Sequence, residues 1–135
     1  MSHFTTIKTQ FVAIDALVKA LRDLGFPKVE AHEQAQPLHG YQGDIRQDTA
    51  EIIIRRKFVG RLSNDIGFKR QADGSFAAII SEYDRAKYST PWLNSLLQRY
   101  AYHAVKQKLD QQGFSLVEEE VKQDKTIHLV LRRTV

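Results

Sequence analysis

The chain has 135 residues, 42% hydrophobic and 27% charged, with 20 Lys and Arg against 16 Asp and Glu for a net charge of +4. That length suits one domain of roughly 100–150 residues, and the composition excludes collagen, a disordered tail and a membrane-spanning protein. Cysteine is absent, which excludes disulfides, thiolate metal sites and a Cys nucleophile, and makes an intracellular compartment the expectation.

The opening residues, Met1-Ser2-His3-Phe4-Thr5-Thr6, carry neither the basic region nor the apolar run of a secretory leader. His3 to Lys8 alternates in polarity and reads as a short strand. Thr9 suits a helix cap. Phe11, Ile14, Leu17, Val18, Leu21 and Leu24 then recur at three- and four-residue steps, which predicts an amphipathic helix with one apolar stripe. Gly25 is expected to close it in a left-handed conformation, with Phe26 and Pro27 as stop signals. Lys28 to Glu33 reads as short and extended.

Between Gln34 and Thr49 the alternation lapses. Pro37, Gly40, Gly43 and Asp44 punctuate what reads as one long loop over 34–49. Such a loop is uncommon inside a compact domain, which makes it a candidate for function. A strand is expected from Glu51 to Val59, with Ile52, Ile54 and Phe58 on one face and Ile53, Arg55 and Lys57 on the other. Asn64 to Arg70 and Ser75 to Tyr83 form the arms of a hairpin about Asp73-Gly74. A second helix begins at Ser89-Thr90-Pro91, with Thr90 as N-cap and Pro91 in the first helical position. Its stripe is Leu93, Leu97, Tyr100, Ala101, Ala104 and Val105, and Gly113 ends it. Phe114 to Lys122 and Thr126 to Arg133 are the last strands.

The order β-α-β-β-β-β-α-β-β predicts a single α+β domain. It has a mainly antiparallel sheet, two amphipathic helices on one face, and an opposite face that is polar and open. Leu21 to Glu30 and Leu109 to Glu118 share Leu, Gly, Phe, Val and Glu at equivalent places. A duplicated βαββ unit is one reading of that echo. A common local solution, in which the Phe packs back on the last helical turn, is the other.

Motifs of familiar chemistries are missing: no HExxH, no GxxxxGK[ST], no GxGxxG and no GxSxG. No cofactor and no metal is expected. Glu30, His32, Glu33 and His39 are the grouping nearest to a metal set, and a polar strand edge running into a loop accounts for them better. Gly40-Tyr41-Gln42-Gly43-Asp44 reads as a structured turn, in which Tyr41 either stacks on a ligand or pins its own loop.

The basic residues Arg55, Arg56, Lys57, Arg61, Lys69, Arg70, Arg132 and Arg133 share a face or rim if their strands are neighbours. Such a face suits an acidic protein partner. With Phe68 and Tyr83 it also suits single-stranded nucleic acid, although Phe68 shares its face with Ile66 and is expected in the core. Arg56 falls on the Ile52 face, so an ion pair with Asp44, Asp65 or Asp84 is expected, whereas Arg55 and Arg61 are expected to be exposed. The candidate binding site is Tyr41, Asp44, Arg55, Arg56, Arg61 and Asn64.

Four segments carry a resemblance: Met1-Ser2-His3-Phe4-Thr5, Gly40-Tyr41-Gln42-Gly43-Asp44, Ile53-Ile54-Arg55-Arg56 and Ser63-Asn64-Asp65-Ile66-Gly67-Phe68. Together they resemble the plastid and cyanobacterial family called hypothetical chloroplast open reading frame thirty-five, over essentially the whole chain. The resemblance transfers no activity and no catalytic residues. It implies a cyanobacterial cytoplasm or plastid stroma. Cyanobacterial members can be encoded beside a small ferredoxin, so it also implies a ferredoxin-type protein as a candidate acidic partner. The expected function is an accessory or binding protein that docks such a partner through a basic sheet face. The alternatives are a single-stranded nucleic-acid-binding module and an enzyme whose dispersed site leaves no motif.

Overall fold

In the computed structural model, which describes residues 3–121 and 127–133, alternating apolar residues of three central strands build the core. The elements are β1 (Phe4–Lys8), α1 (Ile14–Asp23), β2 (Glu30–His39), β3 (Ile45–Ile54), α2 (Arg56–Val59), β4 (Ile66–Arg70), β5 (Phe76–Ser81), α3 (Thr90–Gln111), β6 (Phe114–Val121) and β7 (Ile127–Arg133). Five strands form one sheet in the order β1-β5-β4-β3-β2, antiparallel at every step. The register sets Ile52 against Phe68 and Phe68 against Ala78. Because side chains alternate with a period of two, Ile52, Ile54, Ile66, Phe68, Ala78 and Ile80 then share one face. Leu17 and Leu21 of α1 and Leu96 and Tyr100 of α3 close over that face in a single core. The α+β fold with both long helices on one side is as the sequence predicts.

The helix ends show which signals are local. After α1, Gly25 has φ 102. Its N–H donates to the Arg22 carbonyl at 3.0 Å, and the Phe26 N–H donates to the Leu21 carbonyl at 3.2 Å. This paired closure is what a left-handed glycine permits. It turns Phe26 inward, between Tyr88 and Trp92. The start of α1 differs from expectation. Thr9 accepts the Phe11 N–H at 3.1 Å and donates to the Phe76 carbonyl, and the helix begins later, at Ile14. The Val12 and Ala13 N–H groups leading into it donate to the Tyr100 hydroxyl, at 2.8 and 2.9 Å. On α3 the N-cap position is Ser89 rather than Thr90. The buried stripe is rotated to Leu96 and Tyr100, with Leu93, Leu97 and Ala104 beside them, and Ala101 and Val105 are exposed.

The largest correction concerns residues 34–49. They are not a loop: β2 runs to His39 and β3 begins at Ile45, leaving only a tight turn, with Gly43 at φ 81. Alternation lapses because the ladder is irregular, with register shifts between Ala31 and Gln36 and between Pro37 and His39. Bulges bend a strand and raise its twist. The hairpin accordingly folds over the sheet face opposite the helices. Leu38 meets Ala50, Ile53 and Ile79 there in a second buried cluster, with Phe4 packed against it. Arg46 stacks over the Phe4 ring at 5.1 Å from its centroid. Where Ile53, Gly67 and Ile79 lie, that face, expected to be polar and open, is therefore apolar and covered by the chain's own hairpin, while Thr6, Lys8 and Lys69 keep the rest of it polar.

The strand expected to run to Val59 ends at Ile54, and a short helical turn follows it. The Asp73-Gly74 hairpin turn is present, with Gly74 at φ 89. β6 and β7 pair with each other in a separate two-stranded sheet. The two Gly-Phe exits share left-handed glycines, Gly113 having φ 86, but β2 enters the five-stranded sheet and β6 does not. Lys122 and the expected turn at Gln123-Asp124-Lys125 lie outside the described residues.

Candidate functional site

A buried polar hub joins the folded-back hairpin to the end of the sheet. Its centre is Ser63-Asn64-Asp65, just before β4, all three residues buried. Asp65 has no solvent exposure. One of its oxygens, Oδ2, accepts from the His39 N–H at 2.7 Å and from Arg55 Nη1 at 2.8 Å. The other, Oδ1, accepts from the Arg56 N–H at 2.7 Å. Asn64 Oδ1 accepts the Tyr41 N–H at 3.0 Å, and its amide Nδ2 donates to Ser81 Oγ at 2.9 Å. The Asn64 N–H donates to Asp84 Oδ2 at 3.0 Å, an atom that also receives the Ser81 hydroxyl at 2.8 Å. Burying two carboxylates is tolerable because each meets several donors.

Arg55 extends the hub outward. Its Nε and Nη2 grip the two oxygens of Glu30 at 2.9 and 3.0 Å, and Glu30 also meets His32 Nε2 at 2.8 Å. The planar guanidinium thereby serves a bidentate pair and a buried carboxylate at once. Arg55 hydrogen bonds are the largest influence on the Glu30 carboxyl. With help from His32 they outweigh burial and hold it below the usual carboxylate range. Asp23 is lowered too: burial raises it, but hydrogen bonds from His103 and Arg99 prevail.

A carboxyl depressed in the folded state stabilises the fold above its unfolded pKa, and that stability is lost as pH falls through the folded value. The stability advantage of wild type over Glu30→Gln is therefore expected at pH 7, and is expected to shrink below roughly pH 4.3. Urea unfolding of both proteins from neutral to acid pH measures it, and a difference that does not change with pH would remove Glu30 from the network.

The six residues singled out in the sequence come together in this region. Tyr41, Asn64, Arg55 and Arg56 all bond to the hub. Asp44 closes the Tyr41 turn through its carbonyl, which accepts the Gly40 N–H at 2.8 Å, and its carboxylate lies 3.9 Å from Arg46 Nε. Arg61 is exposed, and its carbonyl accepts from Arg56 Nη2 at 3.0 Å.

The roles of the Arg pair are exchanged, however. Arg55, expected to be exposed, holds the carboxylates. Arg56, expected to pair with an Asp, spends its side chain on the Ser63 and Arg61 carbonyls. Strand alternation stops at Ile54, so extending it to Arg56 put the wrong arginine inward. Sequence reasoning missed Glu30 and Ser81 as hub members. The Glu30–His32 spacing on one strand was visible, but nothing local marks Ser81.

Around the hub lie exposed apolar and basic side chains. Tyr41, Leu62 and Tyr83 are 38%, 59% and 55% exposed, and each adjoins a hub residue in sequence or by hydrogen bond. Lys57, Arg61 and Lys87 are exposed, and Arg85 is half-buried. The Tyr88 hydroxyl donates to the Val59 carbonyl at 2.9 Å, tying the Lys87 segment to α2. Among the described residues no helix is long and apolar enough to cross a membrane.

The fold and hub define a cysteine-free α+β domain with a five-stranded antiparallel sheet whose back face is covered by its own hairpin. The chain belongs to the family described as Protein of unknown function (DUF1257), whose model matches residues 20–130. It is similar to proteins named Uncharacterized protein ycf35 from Cyanophora paradoxa, Guillardia theta and Pyropia yezoensis, at 30% identity in each case and over 98% of both chains. This is the family that the four sequence segments resemble. No solved structure matches the chain.

Proposed function

We propose that this is a binding protein that docks an acidic protein through the basic end around the hub. One observation carries the reading. The segments Lys57–Leu62 and Tyr83–Lys87 are held side by side by the Tyr88–Val59 hydrogen bond and the Asn64–Asp84 hydrogen bond. They present Lys57, Arg61 and Lys87 beside the exposed Leu62 and Tyr83. Apolar and aromatic anchors within a charged rim suit a protein interface, and a base of buried hydrogen bonds keeps them in place before binding. Neither Arg55 nor the sheet face is part of this surface. The hairpin covers the apolar part of the back face, and no aromatic side chain is exposed on the rest of it among the described residues, which counts against a stacking platform for single-stranded nucleic acid. A cyanobacterial cytoplasm or plastid stroma is the compartment that goes with this reading.

A small acidic ferredoxin is a suitable probe. Its binding is expected to weaken as salt rises, and the double variant Lys57→Glu/Arg61→Glu is expected to weaken it at least tenfold with thermal unfolding unchanged. An undiminished affinity in that variant, or no binding at low salt, counts against the proposal. Preferential binding of a single-stranded oligonucleotide would replace it.

A further inference from the structure

We infer that docking at the basic end and closure of the β2–β3 hairpin are coupled through Asn64, so that an acidic partner fixes the hairpin in its closed position. This coupling rests on the docking reading above, whose surface it regulates. Asn64 is 1% exposed and is bonded to both structures. Its main-chain N–H donates to the Asp84 carboxylate, and its Oδ1 accepts the Tyr41 N–H of the hairpin turn, at 3.0 Å each. The Asp84 carbonyl in turn accepts the Lys87 and Tyr88 N–H groups, which shapes residues 83–87. The Asn64 Nδ2 bond to Ser81 at 2.9 Å holds the amide in place between them.

The hairpin is built as a strap. β3 pairs with β4 only at Ile52, Ile53 and Ile54, so residues 36–50 share a ladder only with each other among the described residues. A small apolar cluster closes the strap, with Leu38 and Ala50 on Ile53 and Ile79. So does a reciprocal pair: the His39 N–H donates to Asp65 Oδ2 at 2.7 Å, and the Asp65 N–H donates to the His39 carbonyl at 3.0 Å. Two register shifts in β2 give it places to bend. Closure also carries a cost. In the turn, Asp44 Oδ1 is buried without a hydrogen-bond partner, and opening returns it to water. A segment with few apolar contacts and an irregular ladder opens at a lower free energy than the whole fold. In the open form Asn64 loses Tyr41 and Asp65 loses His39, so the Ser63-Asn64-Asp65 segment no longer sets the two docking segments side by side. A partner that needs both segments therefore binds the closed form and not the open one, and that difference shifts the equilibrium.

Hydrogen exchange resolved to single amides tests the coupling. In the free chain the His39 amide is expected to exchange faster than that of Phe68, a fully buried residue paired on both sides, because the strap opens before the sheet. With the small acidic ferredoxin at about 100 times its dissociation constant, the His39 amide is expected to slow about 100-fold, the factor by which a ligand of the closed form suppresses opening. Its acceptor Asp65 has no exposure, so slower exchange there reports closure rather than shielding by the partner. The Gly74 amide, bonded to the Gln71 carbonyl at the other end of β4 and β5, is expected to keep its rate. Lys57→Glu/Arg61→Glu, at the same ferredoxin concentration, is expected to retain at most about a tenth of the slowing at His39. Equal rates for His39 and Phe68 in the free chain, or bound ferredoxin with the His39 rate unchanged, overturn the coupling and leave the docking reading in place. No binding of ferredoxin at low salt overturns both.

Discussion

Asp65→Ala is expected to destabilise the fold by about 3–5 kcal/mol, the range found when one partner of a buried charge pair is removed. The carboxylate has no solvent exposure and accepts three hydrogen bonds, from His39, Arg55 and Arg56. Its loss leaves two half-buried main-chain N–H groups, of His39 and Arg56, without this acceptor and strips Arg55 of its inner partner. Asp65→Asn keeps the shape but sets an amide NH₂ against at least one donor, so an intermediate loss is expected. Arg55→Glu, which would be harmless on an exposed arginine, is expected to approach the cost of Asp65→Ala, because it places a third carboxylate between Glu30 and Asp65. Denaturant unfolding measures all three. A change below about 1 kcal/mol for Asp65→Ala, the size of one ordinary hydrogen bond, would mean that the hub does not hold the hairpin.

Gly67→Val is expected to cost about 2–3 kcal/mol through overpacking. Gly67 lies in β4 between Ile53 and Ile79, on the face covered by the hairpin. A Cβ there would sit 2.7 Å from the Ala50 Cβ and 3.0 Å from Leu38 Cδ2. Ala50 cannot yield, since its Cβ is fixed to the backbone of β3, so the strand or the hairpin must move. The expected signature is local as well as global. The His39 and Tyr41 amides, which donate to Asp65 and Asn64, should exchange with solvent faster in Gly67→Val than global destabilisation alone explains. Equal protection in the variant would show that the hairpin does not close tightly on β4.

Both predictions concern the same feature, and that feature was the least legible in the sequence. The amphipathic stripe of α1, the Gly25-Phe26 exit, the Asp73-Gly74 turn and the Ile52–Ile54 alternation could be read directly. Each depends on contacts between residues a few positions apart, where backbone preferences and side-chain period act without help. The Ser63-Asn64-Asp65 segment and the Gly40-Tyr41 turn stood out as motifs, and the site residues drawn from them do lie together. Their partners did not stand out. The choice between Arg55 and Arg56 needed the exact end of β3, which a period-two pattern does not mark.

The sequence by itself determined the fold class, the order of most elements, the apolar face of α1 and the family. Tertiary structure alone decided that residues 34–49 form a hairpin lying over the back of the sheet, and that Arg55 is the arginine at the buried carboxylate. The physical reason is range. An irregular ladder shows in the sequence only as lost alternation, which a loop would produce equally well. Its path is set by bonds such as His39 to Asp65 and by Leu38 packing over Gly67, between segments far apart in the chain, and these exist only once the sheet has formed.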